Sequence, residues 1–265
     1  MFQYDISFHG IKHTTKPTGK EIGIISNHLV ETKMDYRELA SEVGEAGCSF
    51  CPAVYHGKRR AENFKSQQII GLDFDSGVPF HIIQERAKYY HLKMLFAYKT
   101  FSHTIEHERF RVVFALQHKI TDSFTAKSIV SIFMKIFENC DEACKDSARL
   151  FFGGKGLLHL ASKPHEISLG EIILAFTAYM FDKYGGKHYT RELQKFYIAN
   201  RIRFEKNHPI ADHGSFIPET SPQPVRSHAS DKLRQHRIII AYKQKAPSPK
   251  AECVEKHSIF IARVH

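Results

Sequence analysis

The chain has 265 residues, 42% of them hydrophobic, enough for one sizeable packed domain with additions. Lys and Arg number 38 against 28 Asp and Glu, a formal charge of +10, and such a surplus suits a polyanionic partner because each neutralised phosphate releases counterions. No apolar run reaches the ~18 residues of a membrane span, and the opening MFQYDISFHGIKHTTK lacks the apolar stretch of a secretion signal, so the expectation is a cytoplasmic protein with no membrane partner.

The first thirty residues are mixed and specify no clear element. KMDYRELASEVGEA (33–46) has the spacing of a helix with Tyr36, Leu39 and Val43 on one face and Gly47 as its stop. CSFCPAVYHGKRR reads as a loop. QQIIGLDFD (67–75) reads as a buried strand ending in carboxylates, followed by a helix near 80–90. MLFAYKT (94–100) and RFRVVFAL (109–116) read as two further strands, the latter with Phe110, Val112 and Phe114 on one side and Arg109, Arg111 and Val113 on the other. Thr121 and Asp122 suit the cap of a helix over 123–138. ARLFFGG (148–154) reads as a strand closed by a glycine turn. Ser168 and Glu171 form a capping box before a helix that Gly185 and Gly186 terminate, and another helix is expected over about 190–204. Prolines at 209, 218, 222, 224, 247 and 249 punctuate the remainder. These elements predict an α+β core over 1–160, a helical appendage over 161–206 and a weakly ordered basic tail or linker over 207–265.

The five cysteines are Cys48, Cys51, Cys140, Cys144 and Cys253, an odd count that argues against a disulfide framework. The first four have the residue types of a thiolate zinc site, but the two pairs lie about ninety residues apart and neither sits on an evident zinc-binding hairpin; ordinary thiols are expected.

The sharpest chemical signal is Asp73-Phe-Asp75. Residues i and i+2 of a strand share a face, so both carboxylates project together. Their repulsion is relieved by a cation, and Mg²⁺ or Mn²⁺ prefers oxygen ligands of this kind. The bland reading is a strand end turning into solvent. His103 and Ser102 follow the second strand; Arg109 and Arg111 open the third. An imidazole and two guanidinium forks suit a triphosphate, although a loop histidine and the wet face of an edge strand would look the same. Asp141 and Asp146 flank Cys144, and either supplies a candidate third carboxylate. Arg149, Lys155 and the Gly153-Gly154 turn suggest a phosphate contact, since glycine-turn amides with a nearby cation hold anions. The spacing is not that of a Walker A loop.

The ordered set IIGLDFD (69–75), YKTFSHT (98–104), ERFRVVF (108–114) and CDEACKDSARLFFGGKG (140–156), with NFKSQQ (63–68) ahead of it, resembles the archaeo-eukaryotic primase superfamily, in particular the primase-polymerases of phages, plasmids and integrative elements. The resemblance covers about residues 45–160. It implies an RRM-like catalytic sheet joined to an α/β amino-terminal module, Asp73 and Asp75 as metal ligands, and His103 as a contact to the nucleotide's phosphates with Ser102 beside it. The third acidic position maps to Asp141, with Asp146 as the alternative. Arg109, Arg111, Arg149 and Lys155 are candidate phosphate or template contacts. The sequence departs from the family in two ways. Ser102 and His103 are adjacent where the family places a residue between them, and the chain ends at His265 where many relatives continue into a helicase or a primase-associated domain.

The expected function is template-dependent nucleotidyl transfer in the replication of a mobile element or phage. Mg²⁺ or Mn²⁺ would be the cofactor, with single-stranded DNA and nucleoside triphosphates as partners and a separate helicase as a further one. Two readings compete. A haloacid-dehalogenase-like phosphatase also uses an apolar strand ending in Asp-x-Asp, although Ser76 stands where that family has glycine. A catalytically inactive nucleic-acid-binding replication protein would keep only the salt-dependent affinity.

Overall fold

The computed structural model describes residues 2–200 and, as backbone strands, 238–242 and 258–262. By compactness the chain divides into one unit of residues 1–179 and another of 180–265. Among the described residues no helix is long and apolar enough to cross a membrane.

The amino-terminal stretch that showed no clear pattern is a small sheet. β1 (Gln3–His9) lies between β2 (Val30–Asp35) and β3 (Ser49–Cys51), antiparallel to both, with α1 (Gly19–Asn27) joining β1 to β2. Tyr4 and Ile6 alternate inward. The helix expected over 33–46 is shorter: α2 (Tyr36–Gly44) begins after Asp35, whose side chain accepts the Arg37 N–H at 2.9 Å. Residues 49–55, expected as a loop, are instead β3 and β4 (Ala53–Tyr55), fully buried. Their apolar content, Phe50, Ala53, Val54 and Tyr55, outweighs the turn signal of Pro52.

The main sheet orders β4, β5 (Phe64–Phe74), β7 (Phe110–Ile120), β6 (Phe96–Thr100) and β8 (Gly154–Leu160), all antiparallel, with β9 (Glu166–Ile167) parallel to β7. α3 (Phe80–Tyr89) joins β5 to β6, and α4 (Ser123–Ile136) follows β7. The chain order β5-α3-β6-β7-α4-β8 is the ferredoxin-like and RRM-like sequence of elements, and the fold is α+β as expected. One detail differs from an RRM. There the last strand pairs beside the first; here β8 pairs on β6, and β4 takes the place beside β5.

Strand alternation gives the sheet two distinct faces. Phe74 and Phe110 stack at 5.0 Å and meet Phe80 of α3, while Phe114 packs against Phe133 and Phe137 at the end of α4. The opposite face carries Gly71, Asp73, Tyr98 and Arg111. In register, Asp73 faces Arg111 and Arg111 faces Tyr98. Phe110, Val112 and Phe114 therefore point one way and Arg111 the other, as the alternation predicts.

ARLFFGG is not a strand. Phe151 alone bridges Phe50, through hydrogen bonds of 2.9 and 2.8 Å, and β8 starts only at Gly154. The segment crosses the polar face, with the Phe151 ring over Gly71, where a Cβ would approach that ring to 2.9 Å.

α5 (Leu169–Tyr184) starts at the predicted capping box. Ser168 N–H donates to Glu171 at 2.7 Å, and Glu171 N–H donates to the Ser168 hydroxyl at 3.2 Å. Burial works against the Glu171 carboxylate, but the Ser168 hydroxyl and N–H and His165 outweigh it and hold its pKa down. Ser168→Ala is expected to cost about 1 kcal/mol at neutral pH in chemical denaturation. A depressed acid stabilises the fold above its unfolded pKa, so the Glu171 contribution should fade as pH falls through the lower folded value.

α6 (Tyr189–Ala199) ends earlier than the expected 190–204 helix, whose last four residues lie outside the described ones. Within the tail, β10 (Ile238–Tyr242) and β11 (Ser258–Ala262) pair antiparallel, so the RIIIAY run does find a partner strand. The rest of the 207–265 expectation lies outside the described residues.

Candidate metal centre

β5 is flanked by β7 along its length but by β4 only near its start. Toward its end the outer edge is closed by the 140–146 segment. Asp141 N–H donates to the Asp73 carbonyl at 2.8 Å, and Asp73 N–H donates to Cys144 Sγ at 3.3 Å. These two bonds satisfy a strand edge that would otherwise leave buried backbone groups unpaired, and they bring Asp141 to Asp73 across almost seventy residues of chain. A short 3-10 turn over Glu142–Lys145 keeps the segment compact, with Asp141 accepting from Ala143 N–H at 3.0 Å.

Asp73, Asp75 and Asp141 each place a carboxylate oxygen within 4.8 Å of the others. Asp73 is 1% exposed, Asp75 lies just past the end of β5 and is exposed, and Asp141 is half-buried. Among the described residues this is the one group of three or more acidic, histidine or cysteine side chains arranged to hold a metal ion. Asp146 is not brought in; it accepts the Ala148 N–H at 2.9 Å in a local turn. Among the described residues the cysteines form no such cluster. Cys48 donates to Glu42, Cys51 bonds Tyr55 and Ser147, and burial pushes the Cys48, Cys140 and Cys144 thiols up to about 12, which keeps them protonated.

Two guanidinium groups balance the carboxylates. Arg111 and Arg149 both reach Asp73 Oδ2 at 3.1 Å, and Arg149 also reaches Asp141 Oδ2 at 2.6 Å. Arg111 is buried. It donates to the Phe152 carbonyl and lies 5.9 Å and 5.5 Å from the Tyr98 and Phe151 ring centres. Its pKa is raised: burial disfavours its charge, but Asp73 outweighs that. Partial desolvation, then the neighbouring Asp73, push the Asp75 carboxyl above its ordinary range. Desolvation also acts on Asp141, but the Ala143 N–H and Arg149 overcome it and hold that carboxyl low. Arg109 adds its charge near Asp75, yet Asp73 Oδ1 is buried with no hydrogen-bond partner among the described residues. A buried oxygen without a partner is costly. A hard cation satisfies it, and an all-oxygen donor set suits Mg²⁺ or Mn²⁺.

His103 is half-buried on the 101–109 turn that joins β6 to β7. Its Nδ1 lies 3.2 Å from both the N and the O of Arg109. When Arg109 N–H donates to Nδ1 the ring proton sits on Nε2, which has no partner among the described residues. Ser102 is half-buried beside it. The Arg109 Nε is buried without a partner among the described residues. Lys155 is exposed on β8.

The glycine turn is not an open anion cradle. Both glycines are buried. A Cβ on Gly153 would lie 2.2 Å from the Gly47 carbonyl carbon, and one on Gly154 would lie 2.0 Å from the Lys99 oxygen. Their role is close backbone packing.

Sequence reasoning missed His107. Its Nε2 lies 2.9 Å from the Asp75 carbonyl and its N–H donates to Thr104, tying the His103 turn to the Asp75 turn. Gly77, at φ +81°, leaves room for that ring, since a Cβ would come within 2.7 Å of it. The signal was a second histidine four residues past His103.

Residues 26–154 match the family model described as the VapE N-terminal domain. That span holds Asp73, Asp75, His103, Arg111, Asp141 and Arg149, and it overlaps the segments that resemble the archaeo-eukaryotic primase superfamily. No curated protein matches. Among solved structures, the AEP domain of the cyanophage S-2L primase-polymerase is similar at TM-score 0.38 and 9% identity, over 66% of this chain and 88% of that one. A likeness that distant has no weight for function.

Proposed function

We propose that the chain is a template-dependent nucleotidyltransferase of the primase-polymerase kind. The observation that carries this reading is the convergence of the Asp73, Asp75 and Asp141 carboxylates, with one Asp73 oxygen buried and without a partner among the described residues. The match to a VapE N-terminal domain over the same residues and the sequence resemblance support it.

Asp73 and Asp141 on one side, with Asp75 at the open side, would hold Mg²⁺ or Mn²⁺. Bound there, divalent cations supply Lewis acidity to an attacking 3′-hydroxyl and to a leaving pyrophosphate. The remaining work is positioning and charge stabilisation. Arg111, flanked by two aromatic rings, holds the Asp73 carboxylate through Oδ2. His103 presents a free Nε2–H for a phosphate oxygen. Arg109 and Lys155 add positive charge to the approach, and the net +10 charge of the chain favours a nucleic-acid strand.

The phosphatase reading requires an Asp-x-Asp strand inside a parallel sheet, whereas β5 is antiparallel to both neighbours. The test is incorporation of labelled nucleotide on a single-stranded template with Mg²⁺ or Mn²⁺; hydrolysis of a small phosphomonoester in place of incorporation would refute the proposal. Within that assay His103→Ala should raise the nucleotide KM about 10-fold or more and change kcat less, because it removes a ground-state contact.

A further inference from the structure

Arg111 and Arg149 touch the same Asp73 oxygen but are held in different ways. Arg111 is wedged between Tyr98 and Phe151, bonded to the Phe152 carbonyl and 8% exposed. Among the described residues the Arg149 side chain bonds Asp73 and Asp141 alone, and it is 25% exposed. No ring clamps Arg149 among the described residues, and its Nε is buried without a partner. Its Nη2 stands between Asp73 Oδ2 and Asp141 Oδ2, at 3.1 and 2.6 Å, the place of a bridging cation between two metal-ligand candidates. A guanidinium and a divalent cation cannot share the same two carboxylates without strong repulsion.

We infer that Arg149 is an exchangeable counter-cation: it neutralises Asp73 and Asp141 while no divalent ion is bound and leaves Asp141 when one binds. Arg111 stays in place in both states. The exchange sets metal affinity, because each ion that enters must displace a charge already bonded there. It also ties metal entry to substrate, since a guanidinium released from Asp141 finds its next anionic partner in a polyphosphate. This inference rests on the metal-centre reading and deepens it.

The test is Mn²⁺ binding to the full chain, measured by calorimetry without nucleotide and paired with thermal melting. Arg149→Gln should bind Mn²⁺ at least about 10-fold more tightly than the unaltered protein, because it removes the competing charge. It should melt lower without metal and gain more from Mn²⁺. Arg149→Lys keeps a charge and should bind Mn²⁺ within a few-fold of the unaltered protein. Adding Asp141→Asn to Arg149→Gln should abolish the tight binding. Equal or weaker Mn²⁺ affinity in folded Arg149→Gln overturns the exchange while leaving the metal centre standing. Binding in neither protein overturns both.

Discussion

Asp75→Asn is expected to lower template-dependent incorporation by at least about 10³-fold, the scale on which removal of preorganised charge acts, without lowering the melting temperature of the metal-free protein. Desolvation and Asp73 both push its carboxyl pKa up, so its negative charge works against the fold at neutral pH. With a folded pKa above the unfolded one, the penalty grows as pH rises, and amide substitution removes it. Loss of activity with unchanged or higher stability is what a functional rather than structural carboxylate gives. Asp73→Asn should lose as much activity but for two reasons. It removes a ligand, and it leaves buried Arg111 without its charge partner. Breaking a buried pair on one side costs about 3–5 kcal/mol. Melting and incorporation measured together separate the two variants. Full activity in a folded Asp75→Asn would contradict the metal centre.

Gly153→Ala is expected to destabilise the fold strongly at a position that touches no carboxylate of the centre. The added Cβ would lie 2.2 Å from the Gly47 carbonyl carbon and 2.5 Å from the Gly47 Cα. Both are backbone atoms, so no rotamer change relieves the clash, and Gly47 itself has φ +83°, a conformation that restricts how it can yield. A loss of about 3 kcal/mol is expected, with melting falling by roughly 6–12 °C in a domain of this size. Gly23→Ala is the contrasting substitution. It lies inside α1 with nothing within 4 Å of the new Cβ, so helix propensity alone should stabilise by about 0.5–1 kcal/mol. Denaturant midpoints of the two variants moving in the same direction would contradict this account of the Gly47–Gly153 contact.

Local pattern was sufficient wherever one element's own periodicity carried the information. The alternation in RFRVVFAL put Arg111 and Phe114 on opposite faces, and β7 obeys it, with Arg111 opposite Asp73 and Phe114 against α4. Asp122 and the Ser168–Glu171 pair capped the helices they precede, because a cap depends on residues within one turn. Asp73 and Asp75 were legible for the same reason: both belong to the end of a single strand.

Pairing partners were not legible. CSFCPAVY became two buried strands because β1 and β5 offer it edges, a fact held far away in the chain. ARLFFGG, with every local mark of a strand, became a crossing segment because β6 already had β8 beside it. The choice of Asp141 over Asp146 was likewise non-local. Their spacing in the sequence left both open, and the matter turned on which backbone N–H reached the Asp73 carbonyl at the open edge of β5.

By itself the sequence determined an α+β protein with paired strand-end carboxylates, a histidine turn and a strongly basic balance, because these follow from local periodicity and composition. The tertiary structure alone decided that Asp141 and not Asp146 lies beside the pair, that two rings flank Arg111, and that Gly153 and Gly154 pack closely against backbone. Each of these depends on which buried backbone groups satisfy one another across distant segments, and hydrogen-bond satisfaction in a closed core is a property of the whole chain.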